Sequence, residues 1–149
     1  MVDDGVFSIS LTGTRQSPIN IETDKNVIET DEALDDLKFS YVPENSTQVG
    51  NTGASWKVDV TPDGSSLSGG PLEGEYQLDQ FHAHWGGENA RGSEHTVDGK
   101  MFSAELHLVH FNTKYGSFGD AVDKPDGLAV LGILLKVLFT LSSQMNLPN

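Results

Sequence analysis

The sequence predicts a β-rich fold, and three observations carry that prediction. Sixteen glycines and six prolines in 149 residues supply turns at short intervals. The apolar residues fall in short runs, several of which alternate with polar ones as a half-buried strand requires. Turn signals separate these runs: Asn51-Thr52-Gly53, Pro62-Asp63-Gly64 and Gly69-Gly70-Pro71.

Residues 1–14 show little pattern. Residues 15–21, Arg15-Gln16-Ser17-Pro18-Ile19-Asn20-Ile21, predict an ordered loop entering a short strand. Residues 22–36 are acidic and predict a solvated surface. Alternation predicts strands over 37–42 and over 56–60, the second just after the turn at Asn51-Thr52-Gly53. Two further strands follow, 76–85 and 104–112, joined by a polar, glycine-rich connection. The continuous apolar run over 128–137 predicts a strand buried on both faces. Residues 138–149 have neither strand nor helix periodicity and read as a loose tail. With no internal repeat and no linker, the chain reads as one domain.

Composition excludes several function classes. A net charge of −13 argues against nucleic acid and against an anionic membrane surface, since both require a basic face. The chain has no cysteine, so disulfides and thiolate metal sites are excluded, and any metal must sit on His, Asp or Glu. Residues 1–5 lack the basic start and apolar stretch of a secretory leader. The apolar run over 128–141 is broken by Gly132 and Lys136 and is too short to span a bilayer. The expectation is a cytoplasmic protein with no nucleic-acid or membrane partner.

Four of the five histidines lie on the two strands 76–85 and 104–112. Residues i and i+2 of a strand share a face, so Leu78, Gln80, His82 and His84 are expected on one side of the first. His82 and His84 then stand about 6–7 Å apart along the strand, a spacing suited to two ligands converging on one ion. On the second strand Glu105, His107, Val109 and Phe111 share a face, and His110 points the other way. If the strands are neighbours, His107 completes a three-histidine set. Neutral imidazole suits Zn²⁺, and three protein ligands leave the fourth tetrahedral position to water. Gln80 and Glu105 each lie one same-face step from a candidate ligand, where they can accept its outer N–H and fix its tautomer. A pair of strand histidines alone fits a core role better than a metal site; adding His107, Gln80 and Glu105 on matching faces leaves the two readings evenly balanced. His95, in the connection, and His110 read as structural.

The wording of these segments resembles a known family. Phe81-His82-Ala83-His84-Trp85-Gly86 is similar to the paired-histidine strand of the alpha carbonic anhydrases. Residues 92–100, beginning Gly92-Ser93-Glu94-His95, resemble that family's signature loop, and 104–112 its third-ligand strand. Residues 15–21 and 126–132 also match, so the resemblance runs over 15–137. It implies an α+β, β-rich fold with a large, mainly antiparallel central sheet and small helices at its edges. The activity it implies is reversible, zinc-dependent hydration of carbon dioxide to bicarbonate. His82, His84 and His107 would bind zinc, with Gln80 and Glu105 holding them from behind. Val109 and Val130 would line the apolar pocket for carbon dioxide. Glu94 takes the catalytic role of the family glutamate that accepts a hydrogen bond from a threonine, which in turn orients the attacking hydroxide.

Three departures from the family pattern stand out. Ala54 occupies the position where the fastest members carry a proton-shuttle histidine, so no shuttle is expected and turnover should be slower. The motif matches stop near Val137, which implies a truncated, incomplete domain over 1–149 with a divergent tail at 138–149. The part lacking would hold the threonine partner of Glu94 and central strands of the sheet. The aromatic segment that usually caps the domain is not recognisable in 1–14. Exposed sheet edges are expected to favour self-association. Two alternatives therefore stay open beside the enzyme: a non-catalytic zinc-binding or interaction protein, and an inactive fragment.

Overall fold

Two long strands organise the molecule. The computed structural model describes residues 16–26 and 28–137. The segment 1–14, Arg15 and the tail at 138–149 thus lie outside the described residues. In chain order the strands are β1 (Asn20–Ile21), β2 (Lys38–Ser40), β3 (Ser46–Asn51), β4 (Trp56–Val60), β5 (Ser66–Ser68), β6 (Glu75–Trp85), β7 (Thr96–Val97), β8 (Ala104–Asn112) and β9 (Leu128–Leu135). One α-helical turn, α1 (Phe118–Ala121), precedes β9, and short 3-10 turns cover Glu32–Asp36, Pro43–Asn45 and Thr113–Tyr115.

Seven of the strands form one sheet in which every pairing is antiparallel. β6 is flanked on one side by β8. Its other side is shared between β5, at the N-terminal end, and β4, towards the C-terminal end. β2 lies beyond β5, β3 beyond β4, and β9 beyond β8. β1 and β7 form a separate, parallel pair that ties Asn20 and Ile21 to the loop before β8. The β-rich, mainly antiparallel architecture expected from the resemblance is the one observed.

The pairing of β6 with β8 contains a register shift between Leu78 and Gln80. This bulge corrects one expectation. Simple alternation puts Leu78 with Gln80, His82 and His84, but the extra residue, Asp79, turns Leu78 to the opposite side. There Leu78 joins Phe81, Leu106, Leu108 and Val60 around an apolar cavity of about 250 Å³. His110 belongs to the same half of the core and is fully buried. Its Nδ1–H donates to the Ala129 carbonyl at 3.2 Å, and the Tyr41 hydroxyl donates to Nε2 at 3.1 Å. Both ring nitrogens are thereby satisfied, as a buried neutral imidazole requires.

β9 departs further from expectation. Its apolar run predicts cover on both faces, yet Val130 is 53% exposed and Ile133 and Leu135 are also exposed. The reason is position: among the described residues β9 pairs only with β8 and forms the outer strand. The strand expected over 37–42 shortens to β2, because Tyr41 and Val42 turn away into the 3-10 segment that follows. β3 and β5 go unanticipated because Ser-Thr-Gln-Val-Gly-Asn and Ser-Leu-Ser carry almost no apolar alternation.

Candidate metal centre

His82 and His84 project from one face of β6, and the register sets His82 directly opposite His107 on β8. The three rings form a tight triangle, with centroids 5.1 Å apart for His82–His84, 5.3 Å for His82–His107 and 4.8 Å for His84–His107. One ring nitrogen from each lies within 4.8 Å of the others. Tetrahedral zinc with Zn–N bonds of about 2.0–2.1 Å holds its ligand nitrogens roughly 3.4 Å apart, so small ring rotations close the set.

Two of the outer nitrogens, those of His82 and His107, are already engaged. His82 donates from Nδ1 to Gln80 Oε1 at 2.9 Å, which leaves Nε2 for the centre. His107 donates from Nε2 to Glu105 Oε1 at 2.7 Å, which leaves Nδ1. Burial, reinforced by the neighbouring His107 and His84, lowers the pKa of His82 and favours the neutral, ligating form at neutral pH. Three converging imidazoles, two of them with outer nitrogens held, fit a zinc ion.

Glu105 is the anchor of the cluster. Only 1% exposed, its carboxylate accepts from four donors: His107 Nε2, His95 Nδ1 at 2.6 Å, and the backbone N–H groups of Glu94 at 3.0 Å and His95 at 2.9 Å. Burial alone would raise its pKa, but the hydrogen bonds from His107 and His95 prevail and bring it to about 2. Glu105 is therefore an anion throughout the working pH range.

His95 is a brace that the spacing does not reveal. It joins Glu105 on one side and Ser17 Oγ, at 2.9 Å, on the other. His95, Glu105 and His107 also form a second cluster of possible ligands. Their contacts at 2.6 and 2.7 Å are hydrogen bonds, which assigns this trio to the scaffold behind the centre.

Close packing positions these groups. Gly132 of β9 lies opposite His107. A Cβ there would come within 3.3 Å of Glu105 Oε1 and 3.9 Å of His107 Cδ2, so the missing side chain makes room for the pair. The loop carrying Glu94 is pressed onto the start of β8 at Gly92, where a Cβ would fall 1.8 Å from the Ser103 carbonyl oxygen.

Val109 and Val130 are cross-strand partners. With His82, His107, Gln80 and Leu128 they help to line an open cleft of about 450 Å³ beside the histidines. Ala54 sits apart, in the β3–β4 turn, on a cleft shared with Trp56 and Trp85. Glu94 does not have the hydrogen-bond partner that the resemblance implies: among the described residues no threonine hydroxyl donates to it. Its Oε2 instead stands 3.3 Å from His84 Nε2 and 3.8 Å from His107 Nδ1.

Adjacent antiparallel strands thus bring three imidazoles to one point, with a carboxamide and a carboxylate behind them, and this defines a candidate mononuclear metal centre. The family model for the eukaryotic-type carbonic anhydrases matches residues 6–146, and the chain belongs to that family. The match reaches past the motif-based range of 15–137 at both ends. Over 127 residues the chain is 50% identical to carbonic anhydrase 3 of Mus musculus, and equally to carbonic anhydrase 3 of Rattus norvegicus. Each alignment covers 84% of this chain and 48% of the relative, so the chain spans about half the length of the curated relatives it matches. Among the described residues no helix is long and apolar enough to cross a membrane.

Proposed function

We propose that this chain carries the zinc centre for reversible hydration of carbon dioxide to bicarbonate, with His82, His84 and His107 as the ligands. The observation that carries the reading is the convergence of three imidazoles, two of them with their outer nitrogens held by Gln80 and Glu105. Zinc, when bound, supplies the Lewis acidity that makes a water in its open position nucleophilic near neutral pH, an effect best known from the carbonic anhydrases themselves.

The chain's own residues do the rest. Gln80 and Glu105 fix the tautomers and aim the rings, and the anionic Glu105 makes His107 a more basic ligand. Val109 and Val130 offer apolar surface on which carbon dioxide rests beside the histidines. Glu94 serves as the hydrogen-bond acceptor beside the open position. With Ala54 in the β3–β4 turn, protons leave through water and buffer, so turnover is expected to rise with buffer concentration. The lack of cysteines supports a cytoplasmic setting.

A second reading, zinc binding without turnover, is favoured by one specific feature: the approach of the Glu94 carboxylate to two of the ligand nitrogens. Stopped-flow hydration assays on the zinc-loaded chain separate the two. Catalysis that disappears in His107→Ala supports the enzyme. A zinc-loaded chain with no rate above the buffer background supports the binding role.

A further inference from the structure

The register of β9 (Leu128–Leu135) settles which of its backbone groups lie free. The Asn112 N–H donates to the Gly127 carbonyl at 2.7 Å, one step beyond the Phe111–Leu128 pair. Pairs that exchange backbone bonds alternate along an antiparallel ladder. Ala129, Leu131 and Ile133 therefore bond to β8, while Leu128, Val130, Gly132 and Leu134 turn their N–H and C=O groups outward. Among the described residues no strand pairs with this outer side. None of the eight residues of β9 is charged and none is proline, so the edge lacks the devices that usually block pairing. Val130, Ile133 and Leu135 leave it exposed and apolar.

The outward positions complement a second copy of themselves. Antiparallel pairing centred on Leu131 sets Leu128 against Leu134 and Val130 against Gly132, so every outward group meets another. On the face where Val130, Gly132 and Leu134 share a cleft with His107, Val130 of one copy covers the bare Gly132 of the other. On the opposite face Ala129 meets Ile133. Just past each end of the paired strands the same register brings Lys136 to Asp126, which already pairs with Lys114. Opposite charges so placed favour this register. We propose that β9 is a homodimer interface: two copies of this chain pair edge to edge about a two-fold axis at Leu131. Their sheets become continuous, and both histidine clusters open on one face. The net charge of −13 on each copy opposes association, so added salt strengthens the dimer.

Sedimentation equilibrium of the 149-residue chain over a range of protein and salt concentrations tests the proposal, with hydrogen exchange read at the β9 amides. A reversible monomer–dimer equilibrium that tightens with salt is expected, and the outward amides of Val130, Gly132 and Leu134 should exchange more slowly in the dimer. Leu134→Pro removes an outward donor and leaves the bonds to β8 in place, and it is expected to weaken the dimer about tenfold or more. Proline also stiffens the strand, so Leu131→Lys and Leu131→Glu give an independent check. Each variant sets like charges against each other at the two-fold axis and should be monomeric alone, whereas an equal mixture of the two should dimerise. A chain that stays monomeric under all conditions would overturn the proposal. So would a dimer that both charged variants still form alone, or a mixture that associates no better than either variant. A monomer whose outward β9 amides are already protected would also overturn it, by assigning that edge to another segment of the same chain.

Discussion

At the scale of single residues, Glu105 bears most of the cluster's organisation. Four donors depend on its carboxylate, and an amide in its place would set an NH₂ group against at least one of them. Glu105→Gln is expected to weaken zinc binding about 10–100-fold, measured by competition with a chelator. The same change is expected to cost about 1–3 kcal/mol in urea unfolding of the zinc-free chain, because a buried donor is left unsatisfied. The pKa of Glu105, depressed to about 2, fixes the sign of its pH dependence. Its stabilising contribution is fully present above the ordinary carboxylate value of about 4.5 and is lost as pH falls towards 2. The roles of Gln80 and Glu105 as holders of His82 and His107 are legible in the sequence, because i and i+2 on a strand settle which side chains share a face. The brace from His95 is not legible. It depends on a loop folding back over ten positions, which no local period reports.

At the scale of elements, the β6–β8 register does the placing. Alternation within each strand picks out His82, His84 and His107, and pairing brings them together. Alternation fails at Leu78 because the bulge arises from pairing with β8 and leaves no local trace. It fails for β3 and β5 because a polar strand has no apolar period to read. β9 contributes through Gly132, whose backbone needs no special conformation but whose missing side chain leaves space for Glu105 and His107. Gly132→Val is expected to push the pair apart and to lower zinc affinity about tenfold or more, with the sheet retained by circular dichroism. Gly132→Ala should produce a smaller loss in the same chelator competition. An equal affinity in all three chains would show that the space opposite His107 is not needed. The open side of β9 also provides the exposed edge on which the self-association expected from the sequence would occur.

At the scale of the whole molecule, the sheet divides the chain chemically. One face carries the histidine centre, and the other carries the apolar cavity and the buried His110. Burial lowers the pKa of His110, so the folded state keeps it neutral where the unfolded chain protonates it. The sign follows from linkage: stability is fully present above the unfolded value of about 6.5 and falls as pH drops below it. His82, whose pKa is also lowered, adds to the same slope. The urea midpoint of the zinc-free chain is expected to fall between pH 7.5 and pH 5.5. His110→Gln should flatten that fall while leaving zinc affinity unchanged; an unaltered slope would assign the effect to other groups. The family was legible from contiguous motifs. An uncovered outer strand at β9 is legible from motif matches that stop near Val137; the inward turn of Glu94 is not, since it depends on which side chains surround it in space.

His82, His84 and His107 are proposed to form a zinc centre able to hydrate carbon dioxide. Stopped-flow hydration by the zinc-loaded chain, compared with His107→Ala at equal buffer concentration, tests it most directly. A zinc-dependent rate above background, abolished in the variant, is expected. A chain holding one zinc yet showing no such rate, or a rate that survives loss of His107, would contradict it.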